Sequence, residues 1–366
     1  EVRWETVPDS AQAPSDYQHR TGIAVWDEKD YAPKTIQVPL QVDGIAEHEE
    51  SFRIRLTSVT GALARVREAT VRLVEPGALD PHFSSPVMDG GVRSLQRTSA
   101  GAILLGGDFQ HAGSVPAGGV LQLYADGRMD REVMVEAGSW QLGRSLHRAM
   151  AAESGSIVVG GEFVQFGKWP LRGMVGLSSS GVVKWESFRD LDLDGYVHDL
   201  SPVPTGGFYA AGSMLRAGGH ESPGIIRCFT NGQVDLSWAS QLGPGSTITA
   251  VLPLPDHHVI VGGRLVLKSG DTPFTGLMKL RVDGSVAQSI AVLEASDSVS
   301  AASVHRLALM DDGGVLVAGE FVRIAGRPCR HLARLAPDWS VDDDFLQRLG
   351  SGANRLVEDV AVDDVG

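Results

Sequence analysis

Apolar residues in this chain come in runs of only three or four, each closed by glycine or a small residue. Examples are "AILLGG" ending at Gly107, "SIVVGG" at Gly161, "FYAAG" at Gly212, "HVIVGG" at Gly263 and "VLVAG" at Gly319. A turn cluster of Gly, Ser, Pro or Asp precedes each run, as in "TSAG", "AESG" and "MDDGG". Runs of this length between turn signals predict short, largely buried β-strands, and no 3.6-residue periodicity competes with that reading. Closer to the N-terminus the pattern changes to strict alternation. Ile36, Val38 and Leu40 fall on one face of an extended segment, and Phe52, Ile54 and Leu56 on one face of another.

The glycine phrases are periodic. Successive marker glycines at 107, 161, 212, 263 and 319 are separated by 54, 51, 51 and 56 residues. A second marker keeps step: Leu123, Leu177, Cys228, Leu280 and Leu335 each stand four positions before a turn residue, at Gly127, Gly181, Gly232, Gly284 and Trp339. Glycine-rich phrases can cradle phosphate where a helix follows. Here "DFQHAGSVPAGG" follows, which reads as turns. The marker glycine is therefore expected to be architectural, at a tight turn, a bulge or a close backbone approach. Each repeat holds four short extended segments, of the kinds "GVRSLQ", "ILLGGDF", "GVLQLYA" and "QVDLSW". Four antiparallel strands per repeat predict the blades of a β-propeller. Five blades are expected between about residues 84 and 345, with a sixth beginning at "NRLVEDVAVDDVG", and six or seven in an intact ring.

Composition narrows the setting. The 366 residues carry 32 Lys plus Arg against 45 Asp plus Glu, a formal net charge of −13. That disfavours a nucleic-acid partner, whose phosphates require a basic face. No apolar stretch approaches the roughly 20 residues of a membrane span, so membrane insertion is not expected. Glu1 is not a native start, and the chain reads as a mature or excised piece of a longer polypeptide. Cys228 and Cys329 are the two cysteines, too few for a disulfide framework or a four-thiolate metal site. They stand in different repeats, too far apart to bond. Cys228 fills a slot otherwise held by leucine and is expected to be a small buried hydrophobe.

The string "LDPHF … GGVRSLQRTSAGAILLGGDFQHAG … GGVLQLYADGRMD" resembles the delta-60 repeat, a bacterial β-propeller family. So does "SVHRLALMDDGGVLVAGEFVRIAGRPCRHLARLAPDWSVDDDF". Blades three and four depart from the pattern, with Gly212-Ser213-Met214 and Gly263-Arg264-Leu265 in place of Gly-acid-Phe. The alternating N-terminal segment resembles a Calx-beta domain, through Asp16-Tyr17, Thr35-Ile36, Asp43, Glu47, Glu50 and Phe52. Together the two resemblances imply an all-β chain. An immunoglobulin-like Calx-beta sandwich, partial and covering residues 1–75, is followed by a β-propeller over residues 76–366, with a short join, "VEPGALD". Calx-beta domains bind calcium through gathered carboxylates, which implies Asp16, Asp43, Glu47 and Glu50 as ligands here. Val42 replaces the first acid of the family's aspartate pair, and the same residues also read as a solvated acidic loop.

Three further constellations carry chemistry. In "DLDLDGYVHDL", Asp190, Asp192, Asp194 and Gly195 follow the spacing that wraps oxygens around Ca²⁺ before a glycine turn, with Asp199 as a later ligand. The other reading is an acidic inter-blade loop whose aspartates cap turns. Fourteen positions before the marker glycines stand Arg93, His147, His198, Thr249 and His305. On a channel-lining strand these would be water-bonded polar groups, a transition-metal site or sugar contacts; of the three histidines only His147 and His198 are in adjacent blades. Asp108, Glu162 and Glu320 directly follow marker glycines and are expected to bond turn amides. No nucleophile elbow or His-Glu-x-x-His helix is present, and no carboxylate pair is singled out for glycoside hydrolysis. The chain is thus expected to be non-enzymatic: a structural or adhesive segment of a large bacterial secreted or surface protein, meeting a protein or glycan at a propeller face. The alternatives are a glycan-binding or glycan-cleaving propeller, with Trp140, Trp169 and Trp185 as candidate platforms, and a filament or sheath subunit that packs on copies of itself.

Overall fold

A computed structural model describes residues 1–27, 34–41, 50–61, 64, 66–73, 83–133, 145–152, 155–203, 206–270, 272–296 and 301–362. The chain is all-β and divides into two compact units, Glu1–His82 and Phe83–Gly366.

The first unit is an antiparallel sheet with strand order Thr21–Ala24, Val2–Pro8, Glu50–Val59, Glu68–Leu73. Phe52 is buried, its ring stacked on Tyr17 at 4.2 Å between centroids, and Ile54 packs on the same small core. The alternation at 52 and 54 is therefore an inward face, as its period requires. The segment carrying Ile36, Val38 and Leu40 forms no strand. A single bridge joins Leu40 to Tyr17, and Leu40 is 57% exposed. One sheet is seen among the described residues, and the second layer of a sandwich is not among them.

Among the described residues the second unit has five main sheets, one per sequence repeat, with two-stranded hairpins at residues 111–116 and 216–221 and a third, at 323–328, joined to the fourth sheet. The inner strands of the main sheets are Val92–Arg97, Ser145–Ala151, Val197–Pro202, Thr247–Pro253 and Ser303–Leu309. The apolar runs form the middle strands Ile103–Gly107, Ile157–Glu162, Phe208–Gly212, Val259–Leu265 and Val315–Glu320. Each middle strand pairs with its inner strand on one side and an outer strand on the other. Covered on both faces, these strands have no polar side to alternate with, which is why they read as continuous apolar runs.

The fourth strand differs from expectation. Among the described residues only the fourth sheet has a full one, Val286–Glu294. In the other four it shrinks to a single bridge: Leu123 with Met129, Leu177 with Val183, Cys228 with Val234, Leu335 with Val341. In three of these an aspartate turns the chain away. Asp130 accepts from the Glu132 amide, Asp235 from that of Ser237, and Asp342 caps the helix Asp343–Leu349 through the Phe345 amide.

Every inner strand carries a β-bulge at the same place. Pairing skips one residue in each, and the skipped residues are Arg93, His147, His198, Thr249 and His305. The marker glycine lies opposite. A Cβ on Gly107, Gly161, Gly212, Gly263 or Gly319 would overlap the carbonyl oxygen of Gly91, Ser145, Tyr196, Thr247 or Ser303. The repeated glycine is thus a close backbone approach beside a bulge, and no side chain fits there.

Adjacent inner strands are stitched by side chains. Ser94 Oγ and Gln96 Oε1 accept from the amides of Ala149 and Ala151, at 3.0 and 2.8 Å. Arg148 reaches Asp199 at 3.4 Å, Asp199 accepts from Val251 N at 2.9 Å, and Thr249 donates to the Val304 carbonyl. Residues 353–359 run beside the fifth sheet: Val357 N donates to Gly319 O, Glu358 faces His305, and Asp359 pairs with Arg306 at 3.0 Å.

Candidate functional site

A β-bulge displaces its extra residue from the ladder and re-aims the side chain. The five bulge residues therefore share a setting, and in the first two blades each meets the acid that follows its marker glycine. In the first blade Arg93 pairs with Asp108 at 2.9 Å. In the second, His147 Nε2 stands 3.7 Å from Glu162 Oε1. Asp108 and Glu162 thus answer the bulge residue across the strand rather than bonding turn amides as expected. In the third blade Ser213 replaces the acid, and His198 turns to its neighbour. Its ring meets that of His147 edge to face, with centroids 5.3 Å apart.

Potential ligand atoms of His147, Glu162 and His198 all lie within 4.8 Å of one another. Among the described residues no other trio of His, Cys, Asp or Glu comes so close. All three side chains are half-buried. Burial pulls the His147 imidazole below its ordinary pKa, against the opposing pull of Glu162. Burial, reinforced by His147, lowers His198 further, to about 4. Both rings are therefore neutral at pH 7, with a lone pair available on each. Ser145 Oγ lies 3.1 Å from His147 Nε2, and the corresponding Ser303 lies 2.9 Å from His305 Nε2 in the fifth blade.

One residue further along the inner strands is a second polar cluster. Arg148, Asp199 and Arg306 converge, with Asp199 Oδ1 at 3.4 and 3.7 Å from the two guanidiniums. Asp199 is 5% exposed, and its oxygens accept from the amides of Leu200 and Val251. Burial pushes its pKa up, opposed by the two arginines and the two amides. This carboxylate ties four blades together, and its oxygens are engaged within the fold.

Asp199 consequently does not join Asp190, Asp192 and Asp194 as a shared calcium shell. Asp194 Oδ1 accepts from the amides of Leu215 and Arg216, as Asp89 Oδ1 does from Gln110 and His111 in the first blade. Each is followed by glycine, at 195 and 90, so the Asp-Gly pair is a repeat feature that caps a turn. Asp190 is exposed beside Arg189, and Asp192 is exposed with a left-handed φ of 40°. In the first unit Asp16 accepts from the Gln12 amide, which with lesser contributions from Ser15 and Glu50 lowers its pKa. Asp16 and Glu50 are thus neighbours, while Asp43 and Glu47 lie outside the described residues. Trp169 and Trp185 stack on each other at 5.0 Å and pack against the core; Trp140 lies outside the described residues.

Sequence spacing identified His147 and His198 as neighbours but not Glu162 as the third member. The available signal was its position directly after a marker glycine, opposite the bulge. The link from Arg148 to Asp199 to Arg306 was also missed, although all three stand thirteen positions before their marker glycines.

Residues 311–345 match the model of a family described as a domain of unknown function (DUF5122), beta-propeller. The chain therefore carries a propeller-type repeat. No curated protein matches it. A solved structure of PorZ, described as an essential bacterial surface component of the type-IX secretion system of Porphyromonas gingivalis, is 11% identical, with a TM-score of 0.40. The match covers 81% of this chain and 38% of that one. The extracellular domain of BT3049, described as a hybrid two component system of B. thetaiotaomicron, is 10% identical with a TM-score of 0.23, covering 68% of this chain and 34% of that one. That of BT4673 from the same organism is 10% identical with a TM-score of 0.21, over 71% and 38%. This chain spans well under half the length of each.

Proposed function

We propose that this chain is a non-enzymatic segment of a large bacterial secreted or cell-surface protein, a rigid propeller platform that presents its loops to a protein or glycan. The observation that carries the reading is the stitching of each inner strand to the next, from Ser94 through Asp199 to Thr249. These bonds fix blade against blade, so loops on the sheets are held in place before any partner arrives, which reduces the ordering cost of binding. The net charge of −13 and the absence, among the described residues, of a helix long and apolar enough to cross a membrane are compatible with that setting.

Calcium belongs to the same proposal, at the exposed pair Asp190 and Asp192 and at Asp16 with Glu50. Hard carboxylate oxygens suit Ca²⁺, and an extracellular setting supplies it. The test of the functional reading is protease treatment of intact cells of the source bacterium, followed by detection of this segment. Loss of the segment while cytoplasmic markers survive is expected. Full protection in intact cells, with digestion only after lysis, would overturn a surface role.

A further inference from the structure

We propose that His147, Glu162 and His198 form a binding site for a divalent transition-metal ion of the zinc class. Two imidazoles and one carboxylate are a donor set suited to Zn²⁺, Co²⁺ or Ni²⁺, unlike the all-oxygen shells that Ca²⁺ and Mg²⁺ require. The donors converge because of the backbone. His147 and His198 occupy the bulge positions of adjacent inner strands, and Glu162 follows the marker glycine that faces the first bulge. Their ligand atoms already lie within 4.8 Å of one another, so a modest closing of side chains would bring them onto one ion.

The charges point the same way. In the first blade the carboxylate after the marker glycine has a guanidinium to neutralise it, Arg93 on Asp108. In the second blade, among the described residues, no Lys or Arg pairs with Glu162, and the basic group within reach is the His147 ring at 3.7 Å. Replacing arginine by histidine at the bulge leaves that acid facing two rings, a setting in which a dication supplies the missing positive charge. The ion would take the place of the Ser145 hydroxyl on His147 Nε2. Three protein donors leave at least one coordination position for water or a ligand. The fifth blade supplies an internal control. His305 has the same bulge position and the same serine neighbour, but it faces Glu358, and among the described residues it joins no cluster of three ligand groups.

The test is isothermal titration of Zn²⁺ into the full chain after dialysis against chelator, with Ca²⁺ in excess to occupy acidic loops. One Zn²⁺ per chain is expected. His198→Ala and Glu162→Gln should each weaken it by at least about 10- to 100-fold, the range seen even for residues that only support a ligand. His305→Ala should leave it unchanged. Folding of each variant is checked by circular dichroism. If His198→Ala fails to fold, the zinc absorption edge of the wild-type chain decides: a shell of two imidazoles and a carboxylate supports the site. A shell containing sulfur, absence of stoichiometric binding, or equal loss in His305→Ala would overturn it. The proposal does not depend on a surface location, since it concerns purified protein.

Discussion

Asp199 and Gly212 face each other's strands in the third blade, and each has a chemical role no other residue type fills. Asp199 accepts two backbone amides while two guanidiniums approach it from other blades. Asp199→Ala would take this acceptor from the two amides and Arg148 in a buried setting, while Arg306 keeps Asp359, a loss of about 3–5 kcal/mol. Asp199→Asn keeps an accepting oxygen and should lose less; chemical denaturation of the two variants gives the ordering. Gly212→Ala places a methyl on the carbonyl oxygen of Tyr196 and should cost about 3 kcal/mol, through the bulge rather than any lost contact. Asp89 gives a pH signature. Bonds from the His111 amide and then its ring draw its carboxyl down to about 2. An unfolded aspartate titrates near 3.9, so the stabilising effect is complete above about pH 4 and fades as pH falls towards 2. Asp89→Asn retains the amide acceptor but does not titrate. Its thermal midpoint should fall less steeply than wild type between pH 5 and pH 2, and parallel curves would refute the assignment. At this scale the marker glycine was legible because a missing Cβ repeats. Glu162 was not, because its partner is fifteen residues away across a bulge, and pairing across a bulge leaves no trace in spacing.

The elements were easier to read than their pairings. Apolar runs became middle strands because both of their faces are covered, a condition that composition alone reports. The fourth strand was over-read, since "QVDLSW" has the alternation of a strand but also an aspartate that captures a nearby amide. Asp342 does the same more strongly. It caps the helix Asp343–Leu349 through the Phe345 amide and pairs with Arg334, which also binds Asp312. Asp342→Ala should therefore cost about 1 kcal/mol for the cap alone, with the loss of Arg334's partner adding to it. Asp342→Asn should recover the cap but not the pairing. Urea midpoints of the two variants separate the contributions. In the first unit, alternation at residues 52 and 54 reported a buried face, whereas the same pattern at 36, 38 and 40 did not produce a strand. Periodicity marks a segment able to pair, and a partner has to be present for it to do so.

At the scale of the molecule, the repeat announced an array of sheets through two markers that keep step over five units. What the array binds was not legible, because binding residues differ from blade to blade and so fall outside the repeat. Calcium can be tested on the whole chain. If Asp190 with Asp192, or Asp16 with Glu50, holds Ca²⁺ only in the folded state, the thermal midpoint should rise with calcium and fall on chelation. Coincident curves would leave these acids as solvated surface. Asp192→Ala should abolish a shift arising in the third blade, while Asp16→Ala should abolish one arising in the first unit.

The joints between neighbouring blades also differ from one another. A serine and a glutamine make the first, an arginine and an aspartate the second, that aspartate and a backbone amide the third, and a threonine the fourth. Such joints work as differently cut keys. A chain with its second and fourth repeats exchanged would keep every strand, every glycine and an amide facing Asp199, yet Arg148 would no longer precede its aspartate. The repeats are alike enough to stack, and each joint is made by different side chains. Neighbouring blades are therefore matched by their side chains as well as by their shape.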